Sequence, residues 1–245
     1  MIGKLSRLFK HDKTPEPICS AVVAAAGSSR RMGGENKLLL PIDGIPVLVR
    51  TLLVLESAQL VDEIVIATRE EDLLTIGDLC KRYGIKKPVK IVCGGDTRQE
   101  SVLAAALECR GDAGYIAVHD GARPLVTADM VDSVIRLAHK TNAAALAVPV
   151  KDTIKVVRDG KVISTPARDT LRAIQTPQVF DAQLLRAALQ SAVDSGEILT
   201  DDCAAVERLG KEVYLEVGSY ENIKITTPED IALAEDLLRR RREQI

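Results

Sequence analysis

The sequence predicts an α/β protein: a doubly wound, mostly parallel sheet into which a single β-hairpin arm is inserted. Three observations lead there. Short β-branched runs alternate with amphipathic segments of helical length from Ile18 to Val148, the rhythm of successive βαβ units. The first run, Ile18–Ala25, is almost wholly apolar, as expected of a parallel strand covered on both faces. The rhythm then breaks at Arg158-Asp159-Gly160, an Asp-Gly turn signal between Thr153–Val157 and Lys161–Ser164.

Taken in order, residues 1–17 are expected to form a flexible leader. Its Ile2, Leu5, Leu8 and Phe9 recur at helical spacing beside Lys4, Arg7 and Lys10, but the apolar part is too short for a secretory core. Pro46 in a first turn starts a helix over Pro46–Ser57. Glu63–Thr68 is a Val/Ile strand, Asp72–Tyr83 an amphipathic helix stopped by Gly84, and Val89–Cys93 the next strand. Gly94–Ser101, GGDTRQES, opens an Ala-rich helix. Tyr115–Val118 is a strand ending in HDGARP, His119–Pro124, followed by a helix over Thr127–Lys140 with Thr127 as N-cap and a strand at Ala143–Val148. Beyond the hairpin, helices are predicted at Asp181–Asp194 and Asp201–Leu209, the latter capped by Thr200, and strands at Val213–Val217 and Asn222–Ile225. The last helix opens at Thr227-Pro228-Glu229-Asp230 and runs into Arg239–Arg242, which suits the negative end of a helix dipole. The expected organisation is one domain over 18–240, with an arm at about 151–172 and a tail at 241–245.

Composition narrows the function. Lys+Arg 33 against Asp+Glu 35 leaves a net charge of −2, which excludes a broad basic face for nucleic acid. Aromatics are 2% with no Trp, so platforms for base stacking are scarce. The five cysteines (19, 80, 93, 109, 203) have no CxxC pairing and read as reduced thiols, pointing to the cytoplasm. His11, His119 and His139 are too dispersed to suggest a zinc site. No apolar run has the length of a membrane span, so no membrane partner is expected.

Ligands of open α/β sheets bind beyond the carboxyl ends of the strands. Three polar loops fall there: Gly27–Lys37, Gly94–Ser101 and His119–Pro124. The first follows an apolar strand with Gly, Ser and the cations Arg30, Arg31 and Lys37. Small residues let backbone amides approach an anion, and Arg and Lys together suit a polyphosphate. Taken alone it reads equally as a Gly/Ser turn with solvated cations. It has neither the Gly-Lys-Ser/Thr ending of a P-loop nor the spaced glycines of a dinucleotide fingerprint. The second loop offers two glycines for close approach, with Asp96 and Ser101 able to meet a base edge. The third offers Asp120 for a ribose hydroxyl, for Mg²⁺, or simply for its own turn. Arg123 is available for an anion, and His119 reads as a satisfied loop histidine sooner than a general base.

The segments AAAGSSRRM…NK, GGDTRQESV, VHDGARP, VPVKDTIK, RDTLRAIQTPQVF, LTDD and NIKITTPED occur in this order between about residues 18 and 235. In them the chain resembles the 2-C-methyl-D-erythritol 4-phosphate cytidylyltransferases, a Rossmann-like nucleotidyltransferase family. Ser28-Ser29 stands where that family usually has a second glycine, and Asn36 where Pro often precedes the lysine. The resemblance implies transfer of a cytidylyl group from CTP to methylerythritol 4-phosphate, with Mg²⁺ and release of pyrophosphate. It assigns Arg31 and Lys37 to the transition state and departing pyrophosphate, and Lys224 and Arg168 to the incoming phosphate. Thr153, Thr176 and Thr200 match hydroxyls of the sugar-phosphate pocket, with Asp120 and Arg123 nearby. Ala25, Ala26, Gly95, Asp96 and Ser101 match the cytidine pocket, and Gly27 opens the phosphate loop. It further implies a homodimer in which the arm Lys151–Arg172 lends Arg168 to the partner's site. The alternatives are a ribitol 5-phosphate or related polyol-phosphate cytidylyltransferase, and a non-catalytic nucleotide-binding protein on the same scaffold.

Overall fold

A computed structural model describes residues 16–27 and 36–243. Strand β1 (Cys19–Ala24) leads, after the undescribed stretch 28–35, to a small ladder of β2 (Pro41–Ile42) and β3 (Ile45–Pro46). Helix α1 (Val47–Ser57), β4 (Glu63–Thr68), α2 (Leu73–Arg82), β5 (Val89–Cys93), α3 (Arg98–Glu108) and β6 (Tyr115–Asp120) follow as βα units. Then come α4 (Ala128–Thr141), β7 (Ala143–Pro149), the hairpin β8 (Val156–Arg158) and β9 (Lys161–Ser164), and β10 (Arg172–Asp181). The chain closes with α5 (Ala182–Ser195), α6 (Asp202–Arg208), β11 (Tyr214–Val217) and α7 (Pro228–Glu243).

The main sheet has seven strands in the order β11-β7-β10-β6-β1-β4-β5. All its pairings are parallel except those of β10, which runs antiparallel to both β6 and β7. Side chains alternate across the pleat, which divides the core in two. Ala21 and Val23 of β1 face Leu48, Leu52 and Leu55 of α1 and Val134 and Ile135 of α4. Val22, Val65 and Val118 face Val102 of α3 and Leu185 and Leu189 of α5. Because β1 is central and covered on both sides, its apolar run is continuous.

Helix ends follow local chemistry. Thr97 and Glu100 form a reciprocal capping box at α3, with Thr97 N–H donating to Glu100 Oε2 at 2.8 Å and Glu100 N–H to Thr97 Oγ1 at 3.2 Å. Thr127 caps α4 as expected. At α6 the cap is Asp201 and not Thr200: its carboxylate accepts from Ala204 N–H at 3.0 Å and from the Gln178 carboxamide at 3.0 Å. Asp201 is the residue immediately before the first helical turn, where a side-chain acceptor reaches the orphan amides.

Three further expectations need correction. Asn222–Ile225 is not a strand. Single bonds hold it, Ile225 N–H to Ala122 O at 2.8 Å and Asn222 Nδ2–H to Thr176 O at 3.1 Å, while Ile225 fills the core. The first hairpin strand begins at Val156, leaving Thr153–Lys155 outside it. Its turn is as read, with Asp159 at φ 50° and Gly160 at φ 72°, the primed geometry that matches strand twist. Finally, the expected elements do not include β10. Pro177 argues against a central strand, and the chain accommodates it with a register shift between Ile174 and Gln178.

Candidate active site

The carboxyl ends of β1, β5 and β6 converge on a cavity of about 320 Å³. Of the residues singled out from the sequence it brings together Ala25, Ala26, Gly27, Lys37, Gly95, Asp96, Ser101, Asp120 and Lys224. Arg31 lies outside the described residues, as do His11 and most of the first loop.

The β5–α3 loop is shaped by absent side chains and by one hydroxyl. A Cβ on Gly94 would stand 2.7 Å from the Ala26 Cβ, and one on Gly95 would collide with the Glu100 side chain. Gly94 N–H donates to Thr68 O at 2.7 Å, which pins the loop to the end of β4. Ser101 is buried, its Oγ accepting from Gly95 N–H at 3.1 Å and lying 2.9 Å from Thr97 O. The hydroxyl therefore shapes the loop as well as lining the cavity. Gly94→Ala should shift the loop at an overpacking cost of about 1–3 kcal/mol, raising the Michaelis constant for the nucleotide about tenfold. Titration of initial rates against nucleotide concentration checks this, and an unchanged constant would remove the loop from the nucleotide site.

On the other side, Asp120 ends β6 inside a ring of cations. Lys224 Nζ lies 2.7 Å from its Oδ2, Arg98 Nη2 3.5 Å from Oδ1 and Arg123 Nε 3.7 Å from Oδ2. Burial by itself would raise the carboxyl's pKa, but Lys224, Arg98 and Arg123 outweigh that and hold it well below the usual carboxylate range. Asp120 is thus an anion that keeps Lys224 at the cavity wall. Lys37 also lines the cavity, its Nζ donating at 2.8 Å to the carbonyl oxygen of Ile225, the residue after Lys224.

Sequence reasoning misses Arg98. In the first turn of α3 its guanidinium forks onto Asp202 at 2.8 and 2.7 Å while reaching Asp120. Burial opposes its charge, and these carboxylates more than offset that, so its pKa is raised. The available signal is LTDD, whose second aspartate sits buried at the start of α6 with no cation near it in sequence.

Other expected residues stand apart. Arg123 is partly buried and does not line the cavity, its Nη1 donating to Asn222 O at 2.6 Å. Thr176 is 3% exposed and does not line the cavity; its Oγ1 accepts from Asp120 N–H at 3.0 Å and contacts His119 Nδ1 at 3.0 Å. His119 is wholly buried, and burial lowers its pKa to about 4, so the ring is neutral near pH 7. That excludes it as a solvent-accessible base. Thr200 is exposed beside the α6 cap. Thr153 and Arg168 are exposed on the arm, away from this chain's cavity, with Arg168 Nη1 donating to Lys151 O at 3.1 Å.

A doubly wound sheet with glycine-shaped loops and a cation-lined cavity at its strand ends defines a nucleotidyltransferase fold, and comparison with known proteins specifies it. The family model of 2-C-methyl-D-erythritol 4-phosphate cytidylyltransferase matches residues 19–240. The chain belongs to this family. It is similar to the proteins of that name from Bacillus cereus (45% identical over 218 residues, 89% of this chain and 96% of the relative) and Desulforamulus reducens (46% over 224 residues, 90% and 96%). Among solved structures it resembles the 4-diphosphocytidyl-2C-methyl-D-erythritol synthase of Anaerococcus prevotii, with a TM-score of 0.83, 32% identity and coverage of 91% of this chain and 96% of that one. The cytidylyltransferase from Thermus thermophilus superposes with a TM-score of 0.73 at 30% identity, covering 91% and 99%.

Proposed function

We propose that this cavity is where the chain transfers the cytidylyl group of CTP to 2-C-methyl-D-erythritol 4-phosphate, giving 4-diphosphocytidyl-2-C-methyl-D-erythritol and pyrophosphate. The observation that carries the assignment is the convergence of Lys37, Lys224 and the glycine-shaped loop on one cavity at the strand ends. A phosphate oxygen of the acceptor attacks the α-phosphorus of CTP, and the bond to the bridging oxygen of pyrophosphate breaks. The acceptor's phosphate is already nucleophilic, so the protein's work is to align two polyanions and offset the charge that develops.

In this reading Ala25, Ala26, Gly95, Asp96 and Ser101 hold the cytidine, and close backbone approach leaves no room for a purine. Gly27, Lys37 and Arg31 take the triphosphate and the departing pyrophosphate. Lys224, kept at the wall by Asp120 at 2.7 Å, takes the acceptor's phosphate. Among the described residues the lining holds the cations Lys37, Arg98 and Lys224 against the carboxylates Asp96 and Asp120, an excess of positive charge suited to phosphates. Thr200 and Arg123 are assigned to the acceptor side by the family resemblance, although neither lines the cavity of this chain.

Magnesium fits here as an ion carried by the triphosphate. No group of three or more His, Cys, Asp or Glu side chains among the described residues could hold a metal, and Asp120 alone would add a protein ligand to the phosphate oxygens. When bound, Mg²⁺ would supply charge neutralisation on those phosphates.

The arm supplies the remaining assignment. Val157 and Val162 are 55% and 60% exposed on a hairpin whose two strands pair with each other and with no strand of the main sheet. Burying that surface against a second copy would form a homodimer and bring Thr153 and Arg168 to the partner's cavity. The free thiols, four of the five buried, suit a reducing cytoplasm, and no helix among the described residues is long and apolar enough to cross a membrane.

Pyrophosphate release across a panel of nucleoside triphosphates and polyol phosphates tests the reading. The expected result is turnover with CTP and methylerythritol 4-phosphate and little with purine nucleotides or ribitol 5-phosphate. Equal turnover with ribitol 5-phosphate would overturn the acceptor assignment; tight CTP binding without turnover would overturn catalysis.

A further inference from the structure

His119 precedes Asp120 on β6 and has no part in the chemistry just described. Its side chain is fully buried, yet both ring nitrogens meet polar atoms: Nε2 is 3.2 Å from Arg123 O and Nδ1 is 3.0 Å from Thr176 Oγ1. A carbonyl oxygen only accepts, so Nε2 carries the ring proton. Thr176 Oγ1 already accepts from Asp120 N–H at 3.0 Å, and its own proton is directed at the Nδ1 lone pair. The bonds therefore run in one sense, from the Asp120 amide through Thr176 and His119 to the Arg123 carbonyl. Arg123 N–H donates to Asp120 O at 3.0 Å and closes the circuit. Packing alone would be served by an apolar side chain; this ring instead fixes both ends of one turn.

We infer that His119 is a positioning residue for the phosphate acceptor: with Thr176 it locks the turn from Asp120 to Arg123, and the turn in turn sets where the Lys224 ammonium points. Lys224 is held through Asp120 at 2.7 Å. The same frame reaches it by a second route, through Asn222, two residues before Lys224 in the chain. Arg123 Nη1 donates to Asn222 O at 2.6 Å, and Asn222 Nδ2 donates to Thr176 O at 3.1 Å. Thr176, matched by resemblance to a sugar-phosphate contact, thus acts from behind the turn. This inference rests on the assignment of Asp120 and Lys224 to the acceptor side.

Steady-state kinetics with each substrate varied in turn tests it, using His119→Phe, His119→Gln, Thr176→Val, Thr176→Ser and the marker Lys224→Ala, with thermal unfolding measured alongside. His119→Phe and Thr176→Val should each raise the acceptor KM about tenfold, while the CTP KM stays close to wild type. The double variant should be little worse than either single, because both break one circuit. Thr176→Ser should restore the acceptor KM, and His119→Gln, which keeps a donor and an acceptor, should restore part of it. Equal losses for both substrates, or a lowered Tm with the acceptor KM unchanged, would reduce His119 to packing and overturn the inference. Should His119→Phe not fold, Thr176→Val, which keeps the shape of threonine, gives the same readout. If Lys224→Ala leaves the acceptor KM unchanged, the acceptor assignment itself falls. If Lys224→Ala raises it and the His119 and Thr176 variants do not, the positioning inference falls alone.

Discussion

Lys37→Ala should lower kcat about 10²–10³-fold while changing CTP affinity far less, the signature of a cation that meets charge only as it develops. The corresponding loss of about 3–4 kcal/mol in transition-state stabilisation is the scale seen when one preorganised donor is removed from such a site. The geometry favours this outcome because Lys37 is already anchored, its ammonium bonded to Ile225 O at 2.8 Å on the segment that carries Lys224. A group held by the protein before the reaction reorganises little during it. Single-turnover rates with saturating CTP, set beside CTP binding measured without acceptor, separate the two effects. Near-normal turnover would make this loop a structural turn and remove the central assignment.

The second large effect is a recovery of activity. Lys37→Ala and Arg168→Ala should each be nearly inactive, yet refolding the two together should return roughly a quarter of wild-type activity. In a twofold dimer with exchanged arms, a mixed pair gathers both defects in one site and leaves the other intact. Random pairing makes half the dimers mixed, and half the sites in those are whole. The structural motive is that Arg168 lies on an exposed arm and not at its own chain's cavity, where Lys37 sits. Tagged chains would verify that mixed dimers form. If they form and stay inactive, Arg168 serves its own subunit; a monomer by light scattering at assay concentration would dismiss arm exchange outright.

The parallel half of the fold is legible because each signal is local. Apolar runs, a Thr cap at Thr127 and an Asp-Gly turn each specify an element without reference to distant chain. The central antiparallel strand β10 is illegible for the opposite reason. Gln175, Thr176, Pro177 and Gln178 look like loop residues until their buried partners are known: Ser219 O for Gln175, His119 for Thr176, Asp201 and the amides of Asp202 and Cys203 for Gln178. Asn222–Ile225 misleads conversely, its apolar alternation serving to plug Ile225 into the core without a ladder. The cavity residues near the strand ends are readable from loop chemistry. Arg98 is not, since a cation in a first helical turn looks solvated until Asp202, 104 positions away, is brought to it by the fold.

The insertion of β10 between β6 and β7 also bears on how the chain survives its own synthesis. β6 and β7 are successive strands in sequence, yet neither pairs with the other; β10 supplies the facing edge of both. Until residues 172–181 have emerged, a nascent chain holds two buried-type strands, Tyr115–Asp120 and Ala143–Pro149, each with a row of backbone donors and acceptors lacking a neighbour. The exposed hairpin is translated within that interval, between β7 and β10. The ribosome thus releases the hairpin, with its exposed Val157 and Val162, before the sheet behind it can close, so this stretch of synthesis leaves strand edges and apolar side chains open to misassociation together.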